Sequence, residues 1–217
     1  MRRWTFGIVA LLCLVGVASA DVDAVIQKLQ KGTPDQRRLA ARELGNLGEE
    51  AKKAIPSLIN ASKDKDVYVR RFAVQSLGKL APAKGIAPAL IAALKDPNAR
   101  VVSAAAAAMA NVGKEGVKPL ATIAQNKAYS ASVRRNAITA LGKMGSDAKE
   151  GVPGLIEVLK DREMRLDAAE ALGNIGPEAK PALETFKTMM EDRRIRRDRS
   201  FARAVRTAQR KIQRAKK

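Results

Sequence analysis

One pattern recurs five times along the chain at a spacing of about 32 residues, and a short fixed period is the strongest constraint a sequence can place on its fold. The template is a cap residue, then Arg at +4, Ala at +7, and a small residue-Leu-Gly run at +10 to +12. Its copies start at Thr33, Asp66, Asn98, Ser130 and Asp161. The Arg-type positions are Arg37, Arg70, Val102, Arg134 and Arg165, with steps of 33, 32, 32 and 31 residues. Four different side chains, Thr, Asp, Asn and Ser, fill the five cap positions, and all can accept a hydrogen bond from the free N–H groups at a helix start. From each cap an apolar stripe runs at helical spacing: Ala40/Leu44/Leu47, Ala73/Leu77/Leu80, Ala105/Met109/Val112, Ala137/Leu141/Met144 and Ala168/Leu172/Ile175.

The small residues Gly45, Gly78, Ala110, Gly142 and Gly173 predict close approach of a neighbouring helix. Three residues later come Gly48, Ala81, Gly113, Gly145 and Gly176; the four glycines suit a left-handed helix stop. A second helix then follows in each repeat, with Pro56, Pro88, Pro153 and Pro181 near its start, where a missing N–H costs nothing, and with Pro119 one position out of line. Sustained two-residue alternation is absent, so no strands are expected. A helix pair of this length buries its stripe only against its neighbours. The expectation is an all-α α-solenoid, a superhelix of about five helix pairs. Val22 to Leu29 reads as a lone second helix capping the N-terminal end. Phe201, Val205, Ala208 and Ile212 read as the buried stripe of a C-terminal capping helix. If that helix is a decayed sixth copy built on Arg199 and Ala202, its cap position is Ile195, which cannot cap, so its start stays open.

Ahead of the repeats, Arg2 and Arg3 precede an apolar run from Phe6 to Val17 and an Ala18-Ser19-Ala20 cleavage pattern. Those three parts in order predict a secretory signal peptide over residues 1–20, cut after Ala20, and hence a periplasmic or extracellular protein. The run is near twelve residues long, where a membrane span needs roughly 20. Cys13 lies within this leader, so the mature chain would carry no thiol. The repeats occupy residues 21–192, and residues 193–217 form a basic tail. That tail holds twelve Lys/Arg against one acid, and so supplies most of the chain's net charge of +19.

The repeat resembles the HEAT-like repeats of the bilin-lyase type, whose core is V-R-x-x-A-x-x-A-L-G. Val69-Arg70 through Gly78 and Val133-Arg134 through Gly142 carry the likeness best, while the third copy departs at Val102 and at Met109-Ala110. The resemblance covers about residues 22–192. It implies the helical-repeat fold, and function less sharply, since repeat folds serve many roles. Relatives with iron chemistry use His-Glu pairs, and this chain has no histidine. HEAT-like DNA glycosylases surround a base with aromatics, which make up only 3% here. Bilin lyases act on a pigment inside photosynthetic cells, where an exported chain would not be. The expectation is therefore a non-catalytic chain with no metal and no cofactor.

Arg37, Arg70, Arg134 and Arg165 read as bonds to carbonyls or acids of the neighbouring repeat rather than as an anion ladder. The first functional expectation is an exported scaffold that binds a protein partner along the second helices, where Asn60, Ala92, Thr122, Glu157 and Thr185 occupy similar positions without shared chemistry. The alternative is binding of an anionic polymer, membrane surface or other envelope component by Arg203, Arg206, Arg210, Lys211 and Arg214. Nucleic acid enters only if the chain is not exported.

Overall fold

The computed structural model describes residues 22–214. The expected signal peptide, with Cys13 and the Ala20–Asp21 junction, and the last three residues lie outside the described residues. Among the described residues every regular element is helical. The first helices of the repeats are α2 (Pro34–Leu44), α4 (Val67–Lys79), α6 (Ala99–Met109), α8 (Ala131–Met144) and α10 (Arg165–Ile175). The second helices are α3 (Ile55–Ala61), α5 (Ile86–Ala93), α7 (Val117–Gln125), α9 (Val152–Val158) and α11 (Ala182–Glu191). A lone helix, α1 (residues 22–31), precedes them. A four-residue turn, α12 (Arg193–Arg196), and a long helix, α13 (Arg199–Gln213), follow. This is the α-solenoid architecture that the period implies.

The chain falls into two compact units, one ending at Ala81 and one starting at Pro82. In the first, α2 lies beside α4, and α3 packs on α4. In the second, the first helices form a row, α6 beside α8, α8 beside α10, and α10 beside α13.

Four of the five cap residues act as their chemistry predicts. Thr33 makes a capping box, with Gln36 N donating to its Oγ1 at 3.4 Å and its own N–H donating to Gln36 Oε1 at 2.9 Å. Asp66 accepts from the N–H groups of Tyr68 and Val69, Asn98 from Arg100, and Ser130 from Val133. The fifth differs. Helix α10 begins at Arg165, preceded by Met164, which offers no capping side chain. Asp161 sits three residues earlier, where its carboxylate accepts from Glu163 N at 3.0 Å and its carbonyl from Arg165 N at 2.8 Å. A turn over 162–164 thus leads into the helix. The other Asp161 carboxylate oxygen receives Arg134, whose Nη2 donates to it at 2.7 Å.

The core is aliphatic. Leu44, Leu77, Met109, Leu141 and Leu172, one from each stripe, are fully buried. The outermost rung is buried at Leu80 and Ile175 and half-buried at Leu47, Val112 and Met144. Close approach explains the small residues. A methyl group on Gly45 would lie 2.2 Å from Ser76 Oγ, one on Gly142 3.0 Å from Ala171 Cα, and one on Gly173 2.9 Å from Ala208 Cα. Gly48, Gly113, Gly145 and Gly176 all have positive φ, but at three of them the stop is not the left-handed one expected. Gly113, Gly145 and Gly176 combine it with ψ between −134° and −154°, an extended region open essentially to glycine alone, whereas Gly85, ahead of α5 in the second repeat, is left-handed.

The sixth first helix corrects the sequence register. Its cap is Asp198, not Ile195: the Asp198 side chain accepts from Phe201 N, and its carbonyl accepts from Ala202 N at 2.9 Å. The Gly173–Ala208 contact repeats Gly142–Ala171, a +12 position against a +10 position, so α13 occupies the place of another repeat's first helix. Phe201, Val205, Ala208 and Ile212 are buried as expected.

Candidate functional site

Each inter-repeat arginine can first be accounted for structurally. Arg37 donates through Nε and Nη2 to the two Asp64 oxygens at 2.8 and 3.0 Å, and through Nη1 to Gly32 O. Arg70 donates to the carbonyls of Asp64 and Lys65. Arg134, buried to 5% exposure, bonds Ala124 O and Asp161. Arg165 bonds Asp198 at 2.7 Å. The hydrogen bond from Arg134 holds the Asp161 carboxyl below its ordinary range, and the Phe201 N–H and Arg165 do the same for Asp198. Burial pushes Asp64 up, but its hydrogen bonds from Arg37 and from the Asp66 N–H leave it lowered overall. These arginines hold one repeat to the next and are not free to bind a ligand.

The outward face of α2 and α4 is different. Arg38 donates through Nε to Asp66 Oδ1 at 3.0 Å, and through Nη1 to Asp35 at 2.8 Å. Its guanidinium carbon lies 5.0 Å from the centre of the Tyr68 ring. Arg71 stacks between two rings, 5.4 Å from Tyr68 and 4.7 Å from Phe72. Its Nε is buried with no hydrogen-bond acceptor among the described residues. Leu39 is 56% exposed and Tyr68 38% exposed, two of the three most exposed large apolar side chains described. Arginine and tyrosine at one place are the residue types that anchor protein interfaces. The low aromatic content, 3% of the chain, gives no hint that Tyr68 and Phe72 gather two arginines around them. The signal that marks it is an Arg-Arg doublet with aromatics beside it, Arg70-Arg71 next to Tyr68 and Phe72; the doublets at 37–38 and 134–135 also send their first member to the neighbouring repeat, and Arg135 pairs with Asp167.

The positions singled out on the second helices gather no chemistry. Asn60, Ala92, Thr122 and Glu157 are exposed and Thr185 is half-buried. Thr122 bonds the Lys118 carbonyl one turn back, and Glu157 pairs with Lys160 at 2.7 Å. The five tail residues Arg203, Arg206, Arg210, Lys211 and Arg214 are all exposed. Arg203, Arg206 and Arg210 border one open groove together with Gln209 and Gln213. Lys211 turns away to Asn174 on α10, with Nζ 2.8 Å from Oδ1. Among the described residues no cluster of three His, Cys, Asp or Glu side chains is placed to hold a metal ion, and no helix is long and apolar enough to cross a membrane.

Helix pairs of one repeating design, most of them carrying an arginine at the same position, define a helical-repeat scaffold suited to protein interaction. The chain belongs to the HEAT-repeat family, which it matches over residues 22–110, 55–130 and 117–205. Its repeats are HEAT-like repeats of the bilin-lyase type: over 91 residues the chain is 44% identical to the phycocyanobilin lyase subunit alpha of a Nostoc species. That match covers 39% of this chain and 32% of the relative, so the chain spans about a third of the relative's length. A solved complex of CpcE and CpcF of phycocyanin lyase, from Nostoc, shares the fold at a TM-score of 0.56 and 24% identity, over 81% of this chain and 73% of that one. A designed armadillo-repeat protein for modular peptide recognition shares it at 0.54 and 20%, over 86% and 99%.

These matches correct the expectation of a non-catalytic chain. The absence of histidine argued against iron chemistry, but the relative with 44% identity is a lyase subunit, and its repeat type is the one found here. The lack of a histidine pair therefore does not exclude an enzyme.

Proposed function

We propose that this chain is a protein-binding subunit that docks its partner on the outward face of α2 and α4, through Leu39, Tyr68, Arg38 and Arg71. The observation that carries the reading is Arg71, held between the Tyr68 and Phe72 rings with a buried Nε that lacks an acceptor. A buried donor without a partner is costly, and a docked partner whose carbonyl or carboxylate draws the Arg71 guanidinium outward would relieve that cost. Exposed Leu39 and Tyr68 supply the apolar area beside it. Support also comes from the solved relative, which is a complex of two chains. The test is affinity capture of the mature protein's partner from its native cells at low and high salt. Docking through this patch survives high salt, and a Tyr68→Asp variant loses it. Capture that collapses with salt, or that ignores Tyr68→Asp, rejects the assignment.

A second reading, favoured by the 44% identical relative, is that the chain contributes to a lyase acting on a bilin. Incubation with phycocyanobilin and phycocyanin apoprotein, with and without a candidate partner captured as above, tests it. A change in pigment attachment that depends on the chain supports lyase function, and none under any combination removes it. We further propose that the chain is exported. The basic start, apolar run and Ala18-Ser19-Ala20 pattern support this, and N-terminal sequencing of native protein tests it, with Asp21 the expected first residue.

A further inference from the structure

The arginines of α13 occupy one particular face of the helix. Counted from the cap Asp198, Arg206 is at +8 and Arg210 at +12. In the preceding repeats the +8 position is Ala41, Val74, Ala106, Ile138 or Ala169, all buried. The +12 position is Gly45, Gly78, Ala110, Gly142 or Gly173. Both positions face the following repeat: Ser76 Oγ donates to Ala41 O at 2.7 Å, and Gly142 and Gly173 meet Ala171 and Ala208 at near-backbone distance. On α13 the place reserved for a next repeat is therefore filled by arginine. With Arg199, Arg203 and Arg214 these side chains form one row at +1, +5, +8, +12 and +16, about 22 Å long at 1.5 Å per residue.

A cap needs a polar outer face but no single sign of charge. At the other end of the repeats, the first copy places Gln36 and Glu43 at the +3 and +10 positions, where the later copies have Val, Met or Phe and then Ser or Ala. The tail instead departs from the chain's own habits. Nine of the ten basic residues in 193–214 are arginine, whereas lysine outnumbers arginine seventeen to ten over 22–192. Among the described residues Arg199, Arg203, Arg206, Arg210 and Arg214 make no ion pair, in contrast to Arg37, Arg38, Arg134, Arg135 and Arg165. A second copy of this chain matches the row poorly, because residues 21–192 are themselves net positive.

We infer that this row is a binding track for a linear phosphate polymer. Three features select that occupant. Bulky arginines at +8 and +12 prevent the close helix–helix approach that glycine and alanine allow elsewhere, so the ligand is held by long cationic arms and not by packing. The guanidinium fork matches a phosphate's oxygens two at a time, which lysine cannot do. The middle of the row, Arg203, Arg206 and Arg210, borders an open groove that the amides of Gln209 and Gln213 also line. A lipid surface fits less well. The apolar side chains of α13, Phe201, Val205 and Ile212, are fully buried, so nothing apolar on this helix remains to enter a bilayer. The chain has few aromatics for stacking on bases, so the track reads phosphates and not sequence.

The experiment titrates the mature chain against a fluorescent oligodeoxythymidylate over a range of salt, with inorganic polyphosphate, phosphatidylglycerol vesicles and poly-L-glutamate as competitors. Binding should weaken steeply with salt. Arg203→Glu, Arg206→Glu and Arg210→Glu combined should weaken it more than tenfold with an unchanged helical spectrum. The neutral set Arg203→Gln, Arg206→Gln and Arg210→Gln should lower the log–log salt slope by about 2, at roughly 0.7 per lost contact on a single strand. Inorganic polyphosphate should compete. Equal binding by wild type and either variant would overturn the inference and leave the row as a cap. Stronger competition by the vesicles or by poly-L-glutamate would also overturn it, in favour of a membrane surface or an acidic protein.

Discussion

Arg165 Nη2 lies 2.7 Å from Asp198 Oδ2, and the same arginine stands 5.0 Å from the centre of the buried Phe201 ring. Arg134 and Asp161 stand in the same relation one repeat earlier. The pair thus ties α13 to the second unit as a true sixth first helix, across a longer step of 37 residues between Asp161 and Asp198. Replacing Asp198 by Ala removes the cap and strands the arginine. A loss of at least about 1 kcal/mol in urea unfolding is expected, from the cap alone. No loss would mean that α13 does not begin at Asp198.

Asp66 caps α4 in the same way and also receives Arg38. Asp66→Ala should cost about 1 kcal/mol through the cap, and should also release Arg38 from one side of the Tyr68 patch. Urea unfolding measures the first effect. Partner capture measures the second, and should weaken in parallel.

Gly142→Ala separates close packing from helix propensity. Propensity alone predicts a gain of about 0.5–1 kcal/mol. The new methyl group would meet Ala171 Cα at 3.0 Å, which is backbone and cannot swing aside. A net loss of about 1–3 kcal/mol is therefore expected, as for other overpacked sites. A more stable variant would show that α8 and α10 have room between them.

The pH profile follows from the aspartates. Asp66 is lowered chiefly by its hydrogen bond from Arg38, Asp161 by that from Arg134, and Asp198 by that from the Phe201 N–H. A depressed carboxyl stabilises the fold fully above its unfolded pKa of about 3.9 and loses that contribution as pH falls through its folded value. The thermal midpoint should stay level from about pH 8 down to about pH 5, since the chain has no histidine to titrate there. It should fall below about pH 4. A midpoint that drops between pH 7 and pH 5 would contradict this account.

Much of the fold was legible because the repeat chemistry is local. A cap, an apolar stripe and a glycine stop each act within about one helix, so their spacing predicts the helices directly, as at Asp66, Leu77 and Gly48. The errors came where a contact outside the repeat decides. At Asp161, which bonds Arg134 of the preceding repeat, a turn over 162–164 comes between the cap residue and α10. Asp198 was missed because α12 and the longer connection shift the template out of step, and because its +11 and +12 positions, Gln209 and Arg210, no longer match it. The outward patch was hidden for a similar reason: that Arg38, Tyr68 and Arg71 meet depends on α2 lying beside α4, which neither segment reveals by itself. The fold also left chemistry open, and it was the sequence match to a lyase subunit, not any motif of residues, that changed the reading of this chain as a non-enzyme.

The most direct test of the protein-docking claim is site-specific photo-cross-linking in the native cells. A photoreactive residue is placed at Leu39, on the exposed face of α2, or at Ala92, on the exposed face of a second helix. The account predicts one discrete protein adduct from position 39, none of that size from position 92, and loss of the adduct when Tyr68→Asp is added. An adduct from position 92 alone, or one from position 39 that persists with Tyr68→Asp, would contradict it.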